Sequence, residues 1–216
     1  MMQVNLSAGS QGLSVLCLGA HSDDIEIGCG GTILRLAEQY PGTLFHWVVF
    51  SATGVRQAEA KQAATLFAGS TALRGPLMKA FPDGFLPFAG AEVKATFEEL
   101  KGMVSPDLVL THSRKDAHQD HRLLAELTWN TFRDHMILEY EVPKYDGDMG
   151  QPSVFVPLST ELCQKKIDYI MKIFLSQQSK RWFRPETFLS LMRLRGMECN
   201  APSGYAEAFY CRKLVL

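Results

Sequence analysis

One imidazole and three carboxylates stand within six residues of this chain, in the segment 21–26 (HSDDIE). Imidazole nitrogen and carboxylate oxygen are ligands that a borderline cation such as Zn²⁺ accepts, and a catalytic zinc site uses three protein ligands and leaves one position for water. His21 and Asp24 can supply two such ligands. A carboxylate pair beside a helix start can also be a simple helix cap, so a metal site needs a partner elsewhere in the chain.

A second polar cluster occupies the segment 112–121 (HSRKDAHQDH), which holds three of the six histidines. It follows the apolar run 108–111, as the first cluster follows the apolar run 13–19, and each run fits a strand buried on both faces of a parallel sheet. Ligands bind outside the carboxyl ends of such strands. We therefore expect the two clusters to converge, with a histidine of the second as third ligand. Taken alone, the second cluster is also compatible with a solvated polar loop.

Strand-like and helical segments alternate along the rest of the chain. Further strands are predicted at 44–51, 71–77, 137–142 and 208–216, and helices at 32–40, 56–68, 93–104, 122–132 and 159–177. Two further segments, 154–158 and one near 185–195, are given no element type. This alternation indicates an α/β, Rossmann-like fold with a mostly parallel sheet and helices on both faces. The length of 216 residues favours a single domain over 1–216.

Composition excludes several classes of protein. The net charge of −1, from 22 basic and 23 acidic residues, gives no reason to expect a nucleic-acid partner. Five widely spaced cysteines without a C-x-x-C pair predict reduced thiols rather than disulfides or a cysteine zinc site. No signal-peptide pattern and no membrane-spanning apolar run is visible, so we expect a cytoplasmic protein. The glycines of 28–31 lack the phosphate-binding spacings and are interpreted as close-packing positions.

The paired clusters resemble the two signatures of the LmbE-like, or PIG-L, superfamily of zinc-dependent N-deacetylases. The segment 21–26 is similar to the A-H-P-D-D-x-E motif, and 112–121 is similar to H-x-x-x-D-x-H-x-D-H with every defining position filled. Ser22 stands where proline is usual, which leaves the ligands intact and loosens the turn. Similar landmarks at 53–59, 176–177, 195–196 and 205–209 extend the resemblance over nearly the whole chain.

The resemblance implies a role for each polar residue of the clusters. The metal, Zn²⁺ or another divalent transition metal such as Fe²⁺, would be bound by three residues: His21, Asp24 and His121. Asp23 would be the general base that takes a proton from the attacking water. His118 would be the acid, or the group that polarises the amide carbonyl and the leaving amine, and Asp120 would orient a histidine ring.

Other residues are expected near the substrate or behind the ligands. The guanidinium of Arg56 can hold a sugar hydroxyl or a phosphate, or be a solvated charge at a helix start. Tyr140 and Glu141 end the fifth predicted strand and line the same edge, unless they serve ordinary strand packing. Three residues would support the ligands or the turn: Glu26, His112 and Asp116. The isolated histidines are interpreted as structural: His46 and His135.

The function implied by the resemblance is removal of the acetyl group from an amino sugar or its conjugate, by attack of metal-activated water on the amide carbonyl. Two alternatives remain: an amidase acting on a thiol-cofactor conjugate or an antibiotic precursor, and a non-catalytic sugar-binding protein on the same fold. The unbroken set of polar residues argues against the second. The partner would be a small N-acetylated molecule in a pocket shaped by the loops 81–90 and 145–150. A homo-oligomer is left open.

Overall fold

The computed structural model describes residues 3–6, 12–70 and 72–215. The strands are β1 (Ser14–His21), β2 (Leu44–Ser51), β3 (Leu73–Met78), β4 (Leu108–His112), β5 (Met136–Tyr140), β6 (Val154–Pro157) and β7 (Ala206–Cys211). The helices are α1 (Asp24–Gln39), α2 (Gly54–Ala68), α3 (Gly90–Met103), α4 (Gln119–Thr131), α5 (Thr160–Ile173) and α6 (Pro185–Glu198). Short 3₁₀ helices lie at Leu86–Ala89 and Leu175–Gln177.

All seven strands belong to one sheet in the order β3-β2-β1-β4-β5-β7-β6. The five strands from β3 to β5 are parallel, and β7 pairs antiparallel with both β5 and β6. The predicted mostly parallel α/β sheet is therefore confirmed. The strand order reverses at β1, whose neighbours are β2 and β4, and the crevice outside their carboxyl ends is where such folds place a ligand.

The side chains of β1 alternate between two apolar layers, as expected for a strand buried on both faces. Val15 and Cys17 pack in the layer formed with α1, α2, α5 and α6, whereas Leu16 and Leu18 pack in the layer formed with α3 and α4. Helices therefore cover both faces of the sheet, which confirms the predicted arrangement.

The two helices that carry residues of the polar clusters begin earlier than their apolar pattern predicts. Helix α1 begins at Asp24 rather than at 32, and α4 begins at Gln119 rather than at 122. The first turn of each helix carries polar residues, including Asp24, Glu26 and Asp120, so the hydrophobic period becomes visible only in the next turn. Acidic groups are favourable there because a helix N-terminus carries partial positive charge. Both clusters thus lie partly on rigid helix starts rather than wholly in loops.

The remaining boundaries differ mainly at helix and strand ends. Helix α5 ends at Ile173 and is followed by a 3₁₀ turn, although one helix was predicted over 159–177. Strand β7 runs over Ala206–Cys211 and not over 208–216. Two positions of the predicted strands, Thr71 and Leu216, lie outside the described residues.

The glycines of α1 allow neighbouring side chains to approach the helix closely. A Cβ on Gly28 would lie 2.2 Å from Tyr140 Cδ2, and one on Gly31 would lie 2.5 Å from Leu158 Cδ1. Real side chains do not approach so closely, so the close-packing interpretation of these glycines is confirmed. The helix is also broken at Cys29, where φ is −143° and ψ is 16°.

Two further predictions concern the cysteines and the membrane. All five cysteines are free, and burial raises the thiol pKa of Cys17, Cys29 and Cys163, which keeps them protonated at neutral pH. Among the helices of the described ranges, none combines the length and the apolar character needed to cross a bilayer.

Candidate active site

The two polar clusters meet at the carboxyl edge of the sheet. Strands β1 and β4 are parallel neighbours, His21 is the last residue of β1, and His112 is the last residue of β4. The backbone N–H of Ala20 donates to His112 Nε2 at 3.0 Å, which ties the two strand ends together. Arg56 reaches the same place from the start of α2, beyond the end of β2. The expected convergence is therefore observed.

Three atoms of the clusters form a compact triangle. His21 Nδ1 lies 3.3 Å from Asp24 Oδ2 and 3.2 Å from His121 Nε2, and the third side, from His121 Nε2 to Asp24 Oδ2, is 3.5 Å. All three side chains are buried, with at most 7% of each residue exposed. Zinc bonds of about 2.0–2.1 Å in tetrahedral geometry separate two ligand atoms by about 3.3 Å. The triangle therefore has the size of one face of a tetrahedral zinc site.

The hydrogen bonds around the triangle indicate which ring nitrogens carry protons. His121 Nδ1 lies 2.9 Å from Asp116 Oδ2, and His21 Nε2 lies 3.1 Å from Asp120 Oδ2. A carboxylate can only accept, so each outer nitrogen carries a proton, and in the neutral ring, the form that binds a metal, the inner nitrogen carries the lone pair. Asp24 Oδ2 accepts a bond of 2.6 Å from the His21 backbone N–H, and with both rings neutral it faces no side-chain proton from them. Three electron-rich atoms thus face one another, an arrangement that a cation stabilises.

The carboxylates around His21 also favour a positive charge at this position. Burial opposes protonation of this imidazole, but Asp24, Asp120 and Asp83 outweigh it and raise the pKa of His21 well above its ordinary value. Burial likewise opposes ionisation of Asp24, whereas three neighbouring histidines lower the pKa of its carboxyl well below the ordinary value. The donor set and its electrostatics fit a divalent transition metal.

Two other histidines, His112 and His118, lie close to the triangle, but a backbone N–H already occupies one ring nitrogen of each. His112 Nε2 lies 3.2 Å from Asp24 Oδ2, yet its lone pair already accepts the Ala20 N–H. The ring of His112 instead stacks on that of His121, with 3.9 Å between centroids. His118 Nδ1 accepts the backbone N–H of Asp120 at 3.2 Å, so the proton of its neutral ring sits on Nε2. Neither ring offers a free lone pair in this tautomer.

Asp23 lies beside the triangle and is held by Arg56. The guanidinium donates from NH2 to Asp23 Oδ1 at 3.0 Å and from NH1 to Asp83 Oδ2 at 3.0 Å. Burial, followed by the charge of Asp24, raises the pKa of Asp23, and the charge of Arg56 opposes this shift. A buried carboxylate with a raised pKa is suited to accepting a proton.

Asp83 is a residue of the site that sequence reasoning missed. The loop 81–90 is expected from the sequence to shape the substrate pocket, but Asp83 has no predicted role of its own, because the pair Asp-Gly at 83–84 also fits an ordinary turn. In the structure Asp83 Oδ1 lies 3.0 Å from His21 Nε2, and Asp120 accepts the backbone N–H groups of Gly84 and Leu86 at 2.8 and 3.1 Å. The loop after β3 is therefore fastened over the site, and no local sequence signal distinguishes it from an ordinary turn.

We expect Asp83→Asn to lower kcat/KM about 10-fold while leaving the metal content unchanged, which is the lower end of losses seen when partners of ligands are removed. The substitution weakens the charge that orients Arg56, whereas Asp120 still holds His21 Nε2. Steady-state kinetics and elemental analysis measure the two effects. Asp134→Asn, at an exposed aspartate in the turn between α4 and β5, is the control. An unchanged kcat/KM in the Asp83 variant would contradict this role.

The positions of Tyr140 and Glu141 correct the expectation that they line the substrate pocket. Tyr140 has no exposed surface, and its hydroxyl donates to Leu18 O at 2.6 Å. Glu141 receives two hydrogen bonds of 2.8 and 2.9 Å from Arg195 and a third of 3.0 Å from the Tyr210 hydroxyl. A fully buried ring and a carboxylate with occupied oxygens serve the packing of the fold, so substrate contacts do not fit these positions.

The three residues expected to support the ligands differ in what they contact. Asp116 bonds His121, as described, and His112 stacks on the same ring. Glu26 has no exposed surface, and neither of its carboxyl oxygens has a hydrogen-bond partner in another described residue. Burial, with the charges of Asp23 and Asp24, raises its pKa well above the ordinary value, which favours the neutral form. Glu26 therefore does not orient a ligand through a hydrogen bond here.

Fold and site together define an α/β protein with a buried His/Asp centre of the kind that binds a metal ion. Residues 16–132, more than half of the chain, match the PIG-L family, described as GlcNAc-PI de-N-acetylase. The chain belongs to this family of de-N-acetylases.

Several solved structures share the fold. The N,N'-diacetylchitobiose deacetylase from Pyrococcus horikoshii is 19% identical, with a TM-score of 0.68 over 92% of this chain and 83% of the other. The 4-carboxy-2-hydroxymuconate hydratase from Pseudomonas putida KT2440 is 21% identical, with a TM-score of 0.73 over 94% and 98%. The zinc-inhibited form of teicoplanin deacetylase is 12% identical, with a TM-score of 0.69 over 92% and 97%. Because one of these proteins is a hydratase, the fold alone does not select the reaction.

Proposed function

We propose that this protein is a zinc-dependent hydrolase that removes the N-acetyl group from an amino sugar or an amino-sugar conjugate. The observation that carries the proposal is the convergence of three lone-pair atoms, on His21, Asp24 and His121, beside the buried carboxylate of Asp23. These residues would hold the metal. When bound, a zinc ion supplies a Lewis acid that polarises the amide carbonyl and lowers the pKa of water towards about 7.

Asp23 is suited to act as the general base. Its carboxylate is buried and lies next to the ligands, and Arg56 fixes one of its oxygens, which leaves the other for the attacking water. The raised pKa brings the carboxylate closer to the neutral pH at which a general base works best. Asp23 thus takes the proton that the water releases as it attacks the acetyl carbonyl.

His118 is suited to donate a hydrogen bond to the carbonyl oxygen. The Asp120 backbone N–H fixes its tautomer, so Nε2 presents a proton. Burial, followed by the neighbouring rings of His121 and His21, lowers the pKa of His118, so the neutral form prevails near pH 7. A neutral donor stabilises the negative charge that develops on the oxygen. The proton that Asp23 takes from the water goes to the leaving nitrogen as the C–N bond breaks, so the ring of His118 gives up no proton.

The substrate class rests on the family and on polar groups at the site's entrance. The family is described as GlcNAc-PI de-N-acetylase, and the similar enzyme from Pyrococcus horikoshii is a diacetylchitobiose deacetylase. Arg56 and Asp83 are partly exposed beside Asp23 and can bind sugar hydroxyls. The free thiols agree with a cytoplasmic location, where disulfides are rare.

The proposal is tested by acetate release from metal-depleted protein, with and without added Zn²⁺. Substrates are N-acetylglucosamine, diacetylchitobiose, an N-acetylglucosaminyl-inositol conjugate and amides of thiol-cofactor type. We expect equal amounts of acetate and free amine from an amino sugar, only with metal. Cleavage of the thiol-type amide alone would favour the amidase alternative, and sugar binding without turnover would favour the non-catalytic one. Turnover of 4-carboxy-2-hydroxymuconate without acetate release from any sugar would overturn the proposal.

A further inference from the structure

The break in α1 exposes backbone groups that a continuous helix would have paired. In an unbroken helix the N–H groups of Gly31 and Thr32 would bond the carbonyls four residues earlier. The carboxylate of Glu207 replaces these carbonyls as the acceptor. Its Oε1 accepts from Gly31 N at 2.8 Å, and its Oε2 accepts from Thr32 N at 2.6 Å. This carboxylate comes from β7, far along the chain, and caps the second half of the helix like an N-cap residue.

A lysine binds the free carbonyl on the N-terminal side of the same break. Lys166 Nζ, from α5, donates to Ile27 O at 2.6 Å and to Glu207 Oε1 at 2.7 Å. The carbonyl end of the first helical piece thus faces a cation, and the N–H end of the second piece faces an anion, as the helix dipole favours. Lys166 and Glu207 are only 2% and 4% exposed. A buried ion pair therefore replaces the missing helix bonds.

This pair holds the short helical piece that follows β1 and carries the catalytic groups. The piece 24–28 begins with Asp24, directly after Asp23, and a single turn is not stable without outside contacts. We propose that Lys166 and Glu207 are positioning residues, which set Asp23 and Asp24 at the right distance from His121. The inference rests on the proposed metal site, and it assigns a role in the reaction to two residues remote in sequence from both motifs.

The test uses Lys166→Met and Glu207→Gln in the full chain. We measure Zn²⁺ affinity by competition with a chelator and the visible absorption of the Co²⁺-loaded protein, which reports the geometry of the ligands. Both variants are expected to bind Zn²⁺ about 10-fold more weakly, as when partners of ligands are removed in other metal sites, and to show shifted Co²⁺ bands.

Arg195→Met is the matched control, because it also removes the cation of a buried ion pair. Arg195 is 6% exposed, and its hydrogen bonds go to Glu141, Glu198 and Gly150, all outside α1. Removing one partner of a buried pair leaves an uncompensated charge and lowers the stability of the folded state. We therefore expect a comparable fall in Tm, with Zn²⁺ affinity and Co²⁺ bands within experimental error of the wild type.

The inference is overturned if Lys166→Met and Glu207→Gln lower only Tm, or if all three variants lose Zn²⁺ affinity in proportion to Tm. Should a single variant not fold, Lys166→Met combined with Glu207→Gln leaves no stranded charge, and the same readouts apply to it. None of these readouts uses a substrate. A wild-type protein that binds Zn²⁺ but releases no acetate would therefore refute the proposed function alone.

Discussion

Asp23→Ala is expected to lower kcat by about 10²–10⁴-fold, the range that a general base contributes, while the bound metal stays at the wild-type level. Asp23 lies next in sequence to the proposed ligand Asp24, and its Oδ1 accepts a hydrogen bond of 3.0 Å from Arg56. In the proposed mechanism its carboxylate contributes a proton acceptor and not a ligand. Steady-state kinetics and elemental analysis of the same preparation separate the two roles.

Asp23→Asn sharpens this prediction. The amide oxygen can still accept the hydrogen bond from Arg56, so the local geometry is kept, but the side chain no longer accepts a proton near neutral pH. Losses of similar size in Asp23→Ala and Asp23→Asn would therefore assign the effect to proton transfer. Nearly full activity in Asp23→Asn would place the base elsewhere, and loss of metal from Asp23→Ala would make Asp23 a ligand.

The sequence predicts the fold and the location of the site because both depend on patterns within single segments. Apolar runs that end in polar clusters predicted β1 and β4, and the parallel alternation of elements predicted that their carboxyl ends meet. The starts of α1 and α4 could not be read from the apolar pattern, since the first turns carry Asp24 and Asp120 instead of apolar residues. The polar residues of the candidate site thus hide the helix boundaries.

The sequence does not predict contacts between residues that lie far apart along the chain and belong to common types. Glu207 lies 176 positions from Gly31. Asp83 precedes Gly84 in a turn, where an Asp-Gly pair is common, so the sequence gives no further reason to expect a role for it. Tyr140 and Glu141 were placed at the correct strand end, but the partner of Glu141, Arg195, comes from α6, 54 positions away. A strand end fixes where a residue lies, whereas its role depends on which neighbours occupy its polar atoms.

The largest effect on metal binding is expected from His121→Ala. This substitution removes one of the three lone-pair atoms, so we expect Zn²⁺ affinity to fall by more than the factor of about 10–100 that removing a partner of a ligand costs, and turnover to disappear. His118→Ala is the matched comparison, because the two rings lie side by side, with 4.7 Å between centroids. It should retain Zn²⁺ and lose about 10²–10³-fold in kcat, as expected for a lost hydrogen-bond donor to the oxyanion.

The thermal shift on adding Zn²⁺ distinguishes the two histidines without a substrate. A metal present at 100 times its dissociation constant stabilises the folded state by about 2.7 kcal/mol, so the wild type and His118→Ala should both gain in Tm while His121→Ala gains nothing. The difference follows from proton placement alone: Asp116 holds the proton of His121 on Nδ1, whereas the Asp120 backbone N–H occupies Nδ1 of His118. A zinc-dependent Tm shift in His121→Ala that is absent from His118→Ala would mean that the two tautomers, and with them the roles of ligand and hydrogen-bond donor, are reversed.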